Sequence, residues 1–405
     1  MVNEQNQIFN NVLIENVIKK LFRNELFGPE NYKGALIIHY LSTLDNNLKI
    51  KALIFLREIL EISDDKDVDD RDIEILAKWW YKNQFIAFPK PEEPEFTFID
   101  LFAGIGGFRL ALQDLNGKCV FSSEWNKDSQ RTYFSNFGEI PFGDITLDVT
   151  KSYIPDNFDI LCAGFPCQPF SLAGVSSRNF LGLEHGFNHP TQGNLFFDII
   201  DIAKKHQPKV IFLENVKNLK SHDKGNTFKI IEESLRDIGY SFFSTIINSK
   251  TVVPQKRERT YMVCFKDKRI NFEFPTFEGE PLKLKSILQE NVPEKYTISD
   301  KLWEGHIRRT KNNLERGTGF SANTADLEKP ARTIVARYGK DGKECLIPQG
   351  DNNPRMLTPR ECARLMGFPE DYILPPSDSV AYKQFGNSVA MPVIQEIGRL
   401  IKNKL

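Results

Sequence analysis

From Phe96 onward, the sequence alternates short apolar runs with segments of helical periodicity, and this alternation limits the possible folds more than any other feature. The runs have the length and the β-branched and aromatic content of buried strands. They are FTFIDLF, KCVFSSEW, FDILCAGF, KVIFLENV, YSFFSTII and RTYMVCF, and helix-compatible segments such as GGFRLALQDL and GNLFFDIIDIAKKH lie between them. The alternation predicts an open α/β fold, in which a mostly parallel sheet has helices on both faces.

The rest of the chain has a different character, which divides it into four parts. Residues 1–95 show helical periodicity and end in the proline-rich, charged segment FPKPEEPE, which has the composition of a linker. The α/β pattern occupies residues 96–266. Residues 267–355 lose the alternation and predict a small irregular domain, and residues 356–405 are again helical.

Composition is typical of a globular protein, with 40% hydrophobic and 26% charged residues. No window approaches the roughly 18 apolar residues of a membrane span, and the N-terminus lacks a signal-peptide pattern. We therefore expect a cytoplasmic protein without a membrane partner. Residues 1–95 have a net charge of −5 and the remainder +4, so a nucleic-acid partner is expected to bind the later part.

The six cysteines are scattered, without a C-x-x-C pair or histidines at metal-ligand spacing. This pattern argues against structural zinc and, in a reducing cytoplasm, against a disulfide framework. We expect no bound metal. Cys167 stands apart, because it follows a strand-like run within Gly-Phe-Pro-Cys-Gln-Pro. Its position leaves three possibilities open: a packing residue, a metal ligand or a nucleophile.

A glycine-rich turn joins the first strand-like run to a helix in FIDLFAGIGGFRLAL, where Gly104, Gly106 and Gly107 are close together. Such a turn allows a ligand to approach the backbone, although the spacing is not G-x-G-x-x-G and a purely structural turn is the alternative. Glu124 lies 20 residues after Gly104, where an acid can accept both hydroxyls of a ribose. Asp144 follows in FGDIT, where it would lie beside an adenine amine. Each acid alone could be a solvated loop residue, but together they predict a nucleoside-type cofactor.

Other reactive side chains follow the same strand ends. Glu214 ends the run KVIFLENV, and Arg257 and Arg259 precede the last strand in PQKRERTYMV. Because the carboxyl ends of parallel strands meet at one edge of a sheet, Cys167, Glu214 and the two arginines would meet beside the cofactor pocket. The alternative is that they are unrelated strand-end residues.

Six sequence blocks make the pattern specific: DLFAGIGGFRLAL, GFPCQPFSLAG, ENVKNL, QKRERTYMV, LTPRECARLMGFP and QFGNSVAMPV. In these blocks and in their order, over about residues 96–266 and 356–405, the chain resembles the bacterial cytosine-5 DNA methyltransferase family. The resemblance implies a Rossmann-like catalytic domain that uses S-adenosyl-L-methionine, releases S-adenosyl-L-homocysteine and acts on double-stranded DNA.

The resemblance also implies the catalytic roles. The Cys167 thiolate would add to carbon 6 of a cytosine and so make carbon 5 nucleophilic. Glu214 would hold ring nitrogen 3 and the exocyclic amine, and Arg259 would orient the base and Glu214. Arg257 would support the same site. The target base must leave the duplex for this chemistry.

Cofactor contacts are implied as well. Phe102 would stack near the adenine, Glu124 would hold the ribose and Asp144 would bond the adenine amine. The remaining contacts are implied at Ala103, Gly104, Gly106, Gly107, Trp125, Ile145, Pro166, Leu195, Asn387, Ser388 and Val389. The last three come from the far end of the chain, and the alternative for Asn387 or Ser388 is a cap on the helix that follows.

Two segments are expected to contact DNA. Residues 168–193 resemble the loop that closes behind the flipped base, with Gln168 and Ser171 near the DNA; Gln192 replaces the arginine of many relatives, as it does in the subgroup with CC…GG sites. Residues 267–355 resemble the target-recognition domain of that subgroup. The residues expected near DNA there are Arg332, Thr333, Arg337 and Tyr338. Arg337 would read a guanine edge or, alternatively, contact phosphates.

Alternative functions remain at this stage. Transfer-RNA cytosine-5 methyltransferases share the fold and the PCQ nucleophile, but they generally have a shorter recognition segment. Residues 1–95 could bind DNA as an autoregulator, although their negative charge argues against a DNA-binding surface, or they could equally form a structural or dimer-forming helical cap. An inactive relative is disfavoured by the joint presence of Cys167, Glu214 and Arg259. We expect a monomer, with any cognate restriction endonuclease a genetic rather than a physical partner.

Overall fold

The computed structural model describes residues 26–60, 69–166, 195–317 and 321–405. The chain forms two compact units. The first comprises Phe121–Ile154 together with the described residues up to Lys90. The second comprises the described residues of Pro91–Val120 and Pro155–Leu405. The sequence did not indicate that Phe121–Ile154 groups with the N-terminal extension.

Thirteen α-helices lie in the described ranges. They are α1 (Tyr32–Thr43), α2 (Asn46–Leu60), α3 (Asp70–Lys82), α4 (Gly107–Gln113), α5 (Lys127–Phe137), α6 (Asp148–Lys151), α7 (Leu195–His206), α8 (Asn226–Asp237), α9 (Asp300–Glu315), α10 (Tyr338–Asp341), α11 (Pro359–Leu365), α12 (Asp378–Asn387) and α13 (Met391–Lys402). Short 3₁₀ helices cover Lys217–Lys220, His222–Gly225, Ser249–Thr251, Leu284–Ile287 and Glu294–Tyr296. No helix in the described ranges is both long and apolar enough to cross a bilayer.

The strands include all six that the apolar runs predict. They are β1 (Phe96–Leu101), β2 (Gly117–Ser123), β3 (Ile160–Gly164), β4 (Val210–Val216), β5 (Phe243–Asn248), β6 (Gln255–Lys256), β7 (Glu258–Phe265), β8 (Ala331–Arg332), β9 (Ile347–Gln349) and β10 (Asn352–Arg355). Two small sheets pair β6 with β8 and β9 with β10.

The central sheet has the strand order β2-β1-β3-β4-β7-β5. Strands β1, β3 and β4 are parallel, and Cys162 lies between Asp100 and Phe212 in register. Strand β7 runs antiparallel to both β4 and β5, so β5 has the direction of β4. The prediction of a mostly parallel sheet is confirmed, with β7 as a reversed strand between two parallel ones. Ile160, Leu161, Cys162 and Ala163 are fully buried, as expected for a strand covered on both faces.

The C-terminal helix α13 returns to the α/β layer of the second unit. Its apolar side, which includes Ile394 and Ile397, is buried. A methyl group on Gly398 would lie 2.7 Å from the Leu112 side chain of α4, so the glycine allows the two helices to approach closely. This return brings the end of the chain to the helix that follows the glycine turn.

The first unit has its own apolar core. Helix α1 buries a continuous run from Ala35 to Ile38, and α3 begins with the Asp69 side chain accepting a hydrogen bond from the Arg71 amide. In the same unit, the Trp80 ring of α3 stacks on Phe134 of α5 at 6.4 Å between centroids. The described part of the N-terminal extension is therefore packed onto Phe121–Ile154.

Candidate active site

The end of β3 lies beside Glu214. Gly164, the last residue of β3, is the register partner of Glu214 on β4. The buried side-chain amide of Asn215 donates a hydrogen bond of 2.9 Å to the Phe165 carbonyl, which fixes the path of the chain as it leaves the strand. Pro166 is exposed and is the last described residue before a gap. Cys167, Gln168, Ser171 and Gln192 lie outside the described residues.

Glu214 and Arg259 form an ion pair at this strand end. The Arg259 Nε atom lies 3.1 Å from Glu214 Oε1, and the two side chains are 13% and 10% exposed. Strand pairing explains the contact, because Tyr261 is the register partner of Glu214 and Arg259 lies two residues away on the same strand face. Burial raises the pKa of the Glu214 carboxyl above its ordinary value, and the positive charges of Arg259 and Arg257 oppose this shift. A carboxyl in this state can hold and donate a proton.

Arg257 is buried and is bonded to main-chain groups. Its guanidinium donates hydrogen bonds to the carbonyls of Ile334, Gly386 and Ser388, at 3.3, 3.4 and 2.5 Å. These carbonyls belong to segments far apart in sequence. Arg257 therefore ties the segment before α10 to the end of α12. Through these main-chain contacts it supports the site indirectly, rather than by touching the reacting base.

The glycine turn after β1 has three residues with positive φ. Phe102, Gly104 and Gly106 have φ angles of 59°, 55° and 82°. The Gly106 amide donates to the Ala103 carbonyl at 2.8 Å, and the hydroxyl of Tyr372 donates to the Ile105 carbonyl at 2.7 Å. Among the described residues, the nearest atom to a Cβ added at Gly104 would be the Phe102 oxygen at 4.0 Å.

The GNSV block lies against this turn. A methyl group on Gly107 would be 2.7 Å from Val389 Cγ2 and 3.3 Å from Ser388 Oγ. The alternative of a helix cap is wrong, because the N-cap of α13 is Ala390 and no side chain caps it. Asn387 is exposed and Ser388 is half-buried, at the end of α12.

Glu124 and Asp144 lie on neighbouring segments of the first unit. The Glu124 amide donates to the Phe142 carbonyl at 2.8 Å, and Ser123 forms a parallel bridge with Phe142. Glu124 Oε1 accepts from the Asn126 amide at 2.8 Å, and Asp144 Oδ1 accepts from the amide and hydroxyl of Thr146, both at 2.9 Å. The carboxylates are thus held locally. Trp125 is 65% exposed, whereas Ile145 is buried.

The residues predicted to contact DNA do not share one environment. Arg332 and Arg337 are exposed, and the Arg332 guanidinium donates to the Ser321 carbonyl at 2.8 Å. The Thr333 hydroxyl donates to the Lys256 carbonyl at 2.5 Å. Tyr338 is fully buried. Its hydroxyl donates to the Cys345 carbonyl and accepts from the Leu357 amide.

The expectation that Tyr338 lies close to DNA is therefore corrected. A fully buried phenol with both hydrogen bonds used inside the protein holds the recognition segment together. Asn215 and Tyr372, which fix the strand end and the glycine turn, were not predicted as site residues. A polar asparagine inside the apolar run KVIFLENV was the signal for Asn215; Tyr372 had none.

These features define a Rossmann-like enzyme with a carboxylate–arginine pair at its strand ends. The sequence profile of the C-5 cytosine-specific DNA methylases matches residues 96–403. The chain is 46% identical over 349 residues to the type II methyltransferase M.HpaII of Haemophilus parainfluenzae, covering 80% of this chain and 94% of that protein. It is 48% identical over 329 residues to the type II methyltransferase M.SsoII of Shigella sonnei, covering 78% and 83%.

Solved structures show the same fold. The S. pombe Dnmt2 methyltransferase superposes with a TM-score of 0.60 at 19% identity, covering 76% of this chain and 99% of that one. The Entamoeba histolytica methyltransferase EhMeth gives a TM-score of 0.56 at 21% identity, covering 77% and 100%. The chain belongs to the C-5 cytosine-specific DNA methylase family. Its activity is accordingly that of a DNA cytosine methyltransferase, which favours the DNA substrate over transfer RNA.

Proposed function

We propose that the enzyme methylates carbon 5 of a cytosine in a short duplex site through a covalent bond between the Cys167 sulfur and carbon 6 of the ring. The observation that carries this proposal is the register of Gly164 with Glu214. Cys167 follows Gly164 by three residues, which span at most about 11 Å of chain. A chain of this length allows the Cys167 thiol to reach a base bound at the Glu214–Arg259 pair, which supports its assignment as the nucleophile.

The other cysteines support Cys167 by their environments. Cys119, Cys162, Cys264, Cys345 and Cys362 are all buried. Burial raises the pKa of the Cys162 and Cys362 thiols well above the ordinary value and that of Cys345 to about 12. Since the thiolate is the reactive form, these buried thiols are poor nucleophiles.

Glu214 would supply the proton that the addition requires. As the Cys167 thiolate adds to carbon 6, electron density moves to ring nitrogen 3, and the Glu214 carboxyl donates a proton there. Its raised pKa suits a donor, and Arg259 holds the carboxyl in place. Carbon 5 then takes the methyl group, water accepts the proton from carbon 5, and the thiolate leaves as the ring double bond re-forms. Nitrogen 3 returns its proton to the Glu214 carboxylate, which gives neutral 5-methylcytosine and restores the enzyme. Arg257 acts as a positioning residue through its main-chain contacts.

S-adenosyl-L-methionine would supply an electrophilic methyl group, and S-adenosyl-L-homocysteine would be released. The glycine turn fits such a molecule, because the positive φ angles of Gly104 and Gly106 are those of a turn that lets a ligand approach the backbone. We propose Phe102 for the adenine ring, Glu124 for the ribose and Asp144 for the adenine amine. The further proposed contacts are Ala103, Gly106, Gly107, Trp125, Ile145, Pro166, Leu195, Asn387, Ser388 and Val389.

We also propose a CC…GG type of site, with Arg332 and Arg337 facing the duplex. Both side chains are exposed in the segment that resembles recognition domains of that subgroup. Residues 168–193 would close behind the flipped cytosine. A monomer is sufficient for this reaction, and a cognate endonuclease would recognise the same site independently.

The test uses duplexes containing CCGG, CCAGG, CCTGG or CCNGG, with a tritiated methyl donor. The same duplexes then carry 5-fluorocytosine at each candidate position, because carbon 5 of that base cannot lose its substituent. We expect one duplex to give an adduct that survives denaturing electrophoresis, with wild type and Cys119→Ser but not with Cys167→Ser. Labelling of transfer RNA and of no duplex would overturn the DNA substrate.

A further inference from the structure

The N-terminal extension reaches the loop that contains Asp144. The Asp144 amide donates a hydrogen bond of 2.7 Å to the Pro29 carbonyl. A Cβ added to Gly143 would lie 1.8 Å from the Pro29 oxygen and 2.4 Å from its carbonyl carbon. Any side chain at Gly143 would therefore push the two segments apart. The buried Asn31 side chain adds a third contact, since its amide donates to the Pro141 carbonyl at 2.9 Å.

Gln130 of α5 joins the same extension to Glu124. Its side chain is fully buried. Oε1 accepts from the Gly28 amide at 2.7 Å, and Nε2 donates to the Gly28 carbonyl at 3.0 Å and to the Glu124 carbonyl. One amide group thus fixes the main chain of Glu124 relative to Gly28. Loss of this group would remove two hydrogen bonds to Gly28 and one to Glu124, and the loss of hydrogen bonds between buried groups is costly.

We infer that residues 28–31 are a positioning element for cofactor binding, acting through the main chains of Glu124 and Asp144. This inference rests on the proposed roles of those two acids in holding the ribose and the adenine amine. Polar groups bind a ligand tightly only when their supporting contacts fix them within about 0.5 Å. The extension supplies such contacts to both acids, so its sequence sets the affinity for S-adenosylmethionine, independently of any regulatory role.

The experiment measures S-adenosylmethionine affinity by equilibrium dialysis on the full chain, together with the KM for DNA and the single-turnover rate at saturating cofactor. The test variants are Gln130→Ala, Gly143→Ala and Asn31→Ala. Matched controls are Gln84→Ala and Asn83→Ala, whose side chains donate to the carbonyls of Trp80 and Trp79 within the extension. Thermal melting shows which variants are folded at the assay temperature.

We expect Gln130→Ala and Gly143→Ala to weaken cofactor binding by about tenfold or more, and Asn31→Ala by less. The DNA KM and the rate at saturating cofactor should stay near wild type, as should every parameter of the controls. Folded variants with unchanged cofactor affinity, or equal losses in the controls, would overturn the inference. A wild-type chain that neither binds the cofactor nor methylates any duplex would instead refute the proposed function.

Discussion

Two buried glutamates, one in each compact unit, have opposite electrostatic surroundings. Glu74 of α3 accepts a hydrogen bond from the Tyr40 hydroxyl, and the Lys49 and Lys78 ammonium groups lie 2.8 and 2.6 Å from its oxygens. Although burial opposes ionisation, these hydrogen bonds lower the pKa of Glu74 to about 2. Glu214 is as buried as Glu74, at 8% exposure, but burial dominates and raises its pKa.

Two differences separate the sites: the surrounding protein desolvates the Glu214 carboxyl more deeply, and it supplies that carboxyl with fewer partners. The contact between Arg259 and Glu214 Oε1 lies outside hydrogen-bond geometry, so within the described part of the chain this oxygen accepts no hydrogen bond. A carboxylate whose oxygens are fully used stabilises a fold. A buried carboxyl with unused capacity is available to a ligand that brings its own donors, as N3 and the amine of a cytosine would.

The largest expected effect separates the two glutamates by activity. Glu214→Gln should reduce the rate of methyl transfer by about 100-fold or more, because an amide holds the base but cannot give up a proton in the same way. Glu74→Gln, measured well below its melting temperature, should keep the rate within about twofold of wild type. Initial rates at saturating DNA and cofactor give the comparison. Equal losses of rate in both variants would show that the different surroundings of the two glutamates do not matter for catalysis.

Removing the cation beside Glu214 should sharpen the contrast. Arg259→Gln removes a charge that lowers the pKa of Glu214, so the carboxyl should stay protonated to higher pH. If Glu214 acts as the proton donor, the alkaline limb of the pH–rate profile moves upward, while the maximal rate falls by about tenfold from loss of orientation. If the alkaline limb stays at the same pH or moves to lower pH, a group other than Glu214 causes it.

Glu74→Gln should act on stability instead. Replacing the carboxylate weakens three charge-assisted contacts, and we expect the free energy of unfolding at neutral pH to fall by about 1–3 kcal/mol. Denaturant unfolding checks this value. Glu58→Gln is the matched control, since its partner Lys33 is on the surface of the same unit. If Glu58→Gln lowers the free energy of unfolding as much as Glu74→Gln does, the burial of Glu74 and its partners adds nothing to stability.

The smallest effect is the pH dependence of stability, which has opposite signs at the two sites. The folded-state pKa of Glu74 is below the ordinary value of 4.5, so its contribution is present above that pH and is lost as pH falls towards about 2. The pKa of Glu214 is raised, so ionisation above pH 4.5 costs stability as pH rises. The melting temperature of Glu214→Gln relative to wild type should therefore rise with pH, and that of Glu74→Gln should fall. Parallel trends would contradict the comparison.

Local pattern was enough to predict the strands and the strand-end position of Glu214. Apolar runs of the right length became β1 to β5 and β7, since burial on both faces selects such runs. The insertion of β7 between β4 and β5 was not predictable in this way. Strand order depends on pairing between distant segments, and an apolar run has the same pattern in either direction.

The partners of polar residues were harder to predict for the same reason. Arg257 looked like a second site arginine, but its acceptors lie 77 to 131 residues away. Tyr338 was expected near DNA, whereas its ring is fully buried. Gly143 showed no special pattern, and only the contact with Pro29 explains it. Tertiary contacts, rather than local periodicity, decide each of these cases.

The central claim is that Glu214, and no buried glutamate elsewhere in the described chain, serves the covalent chemistry of Cys167. The most direct measurement uses the duplex that the enzyme methylates, with 5-fluorocytosine in place of the target cytosine. It compares the rates at which wild type, Glu214→Gln and Glu74→Gln form an adduct with this duplex that resists denaturation. We predict wild-type rates for Glu74→Gln and a rate lower by about 100-fold for Glu214→Gln. Adduct formation at the wild-type rate by Glu214→Gln would contradict the account.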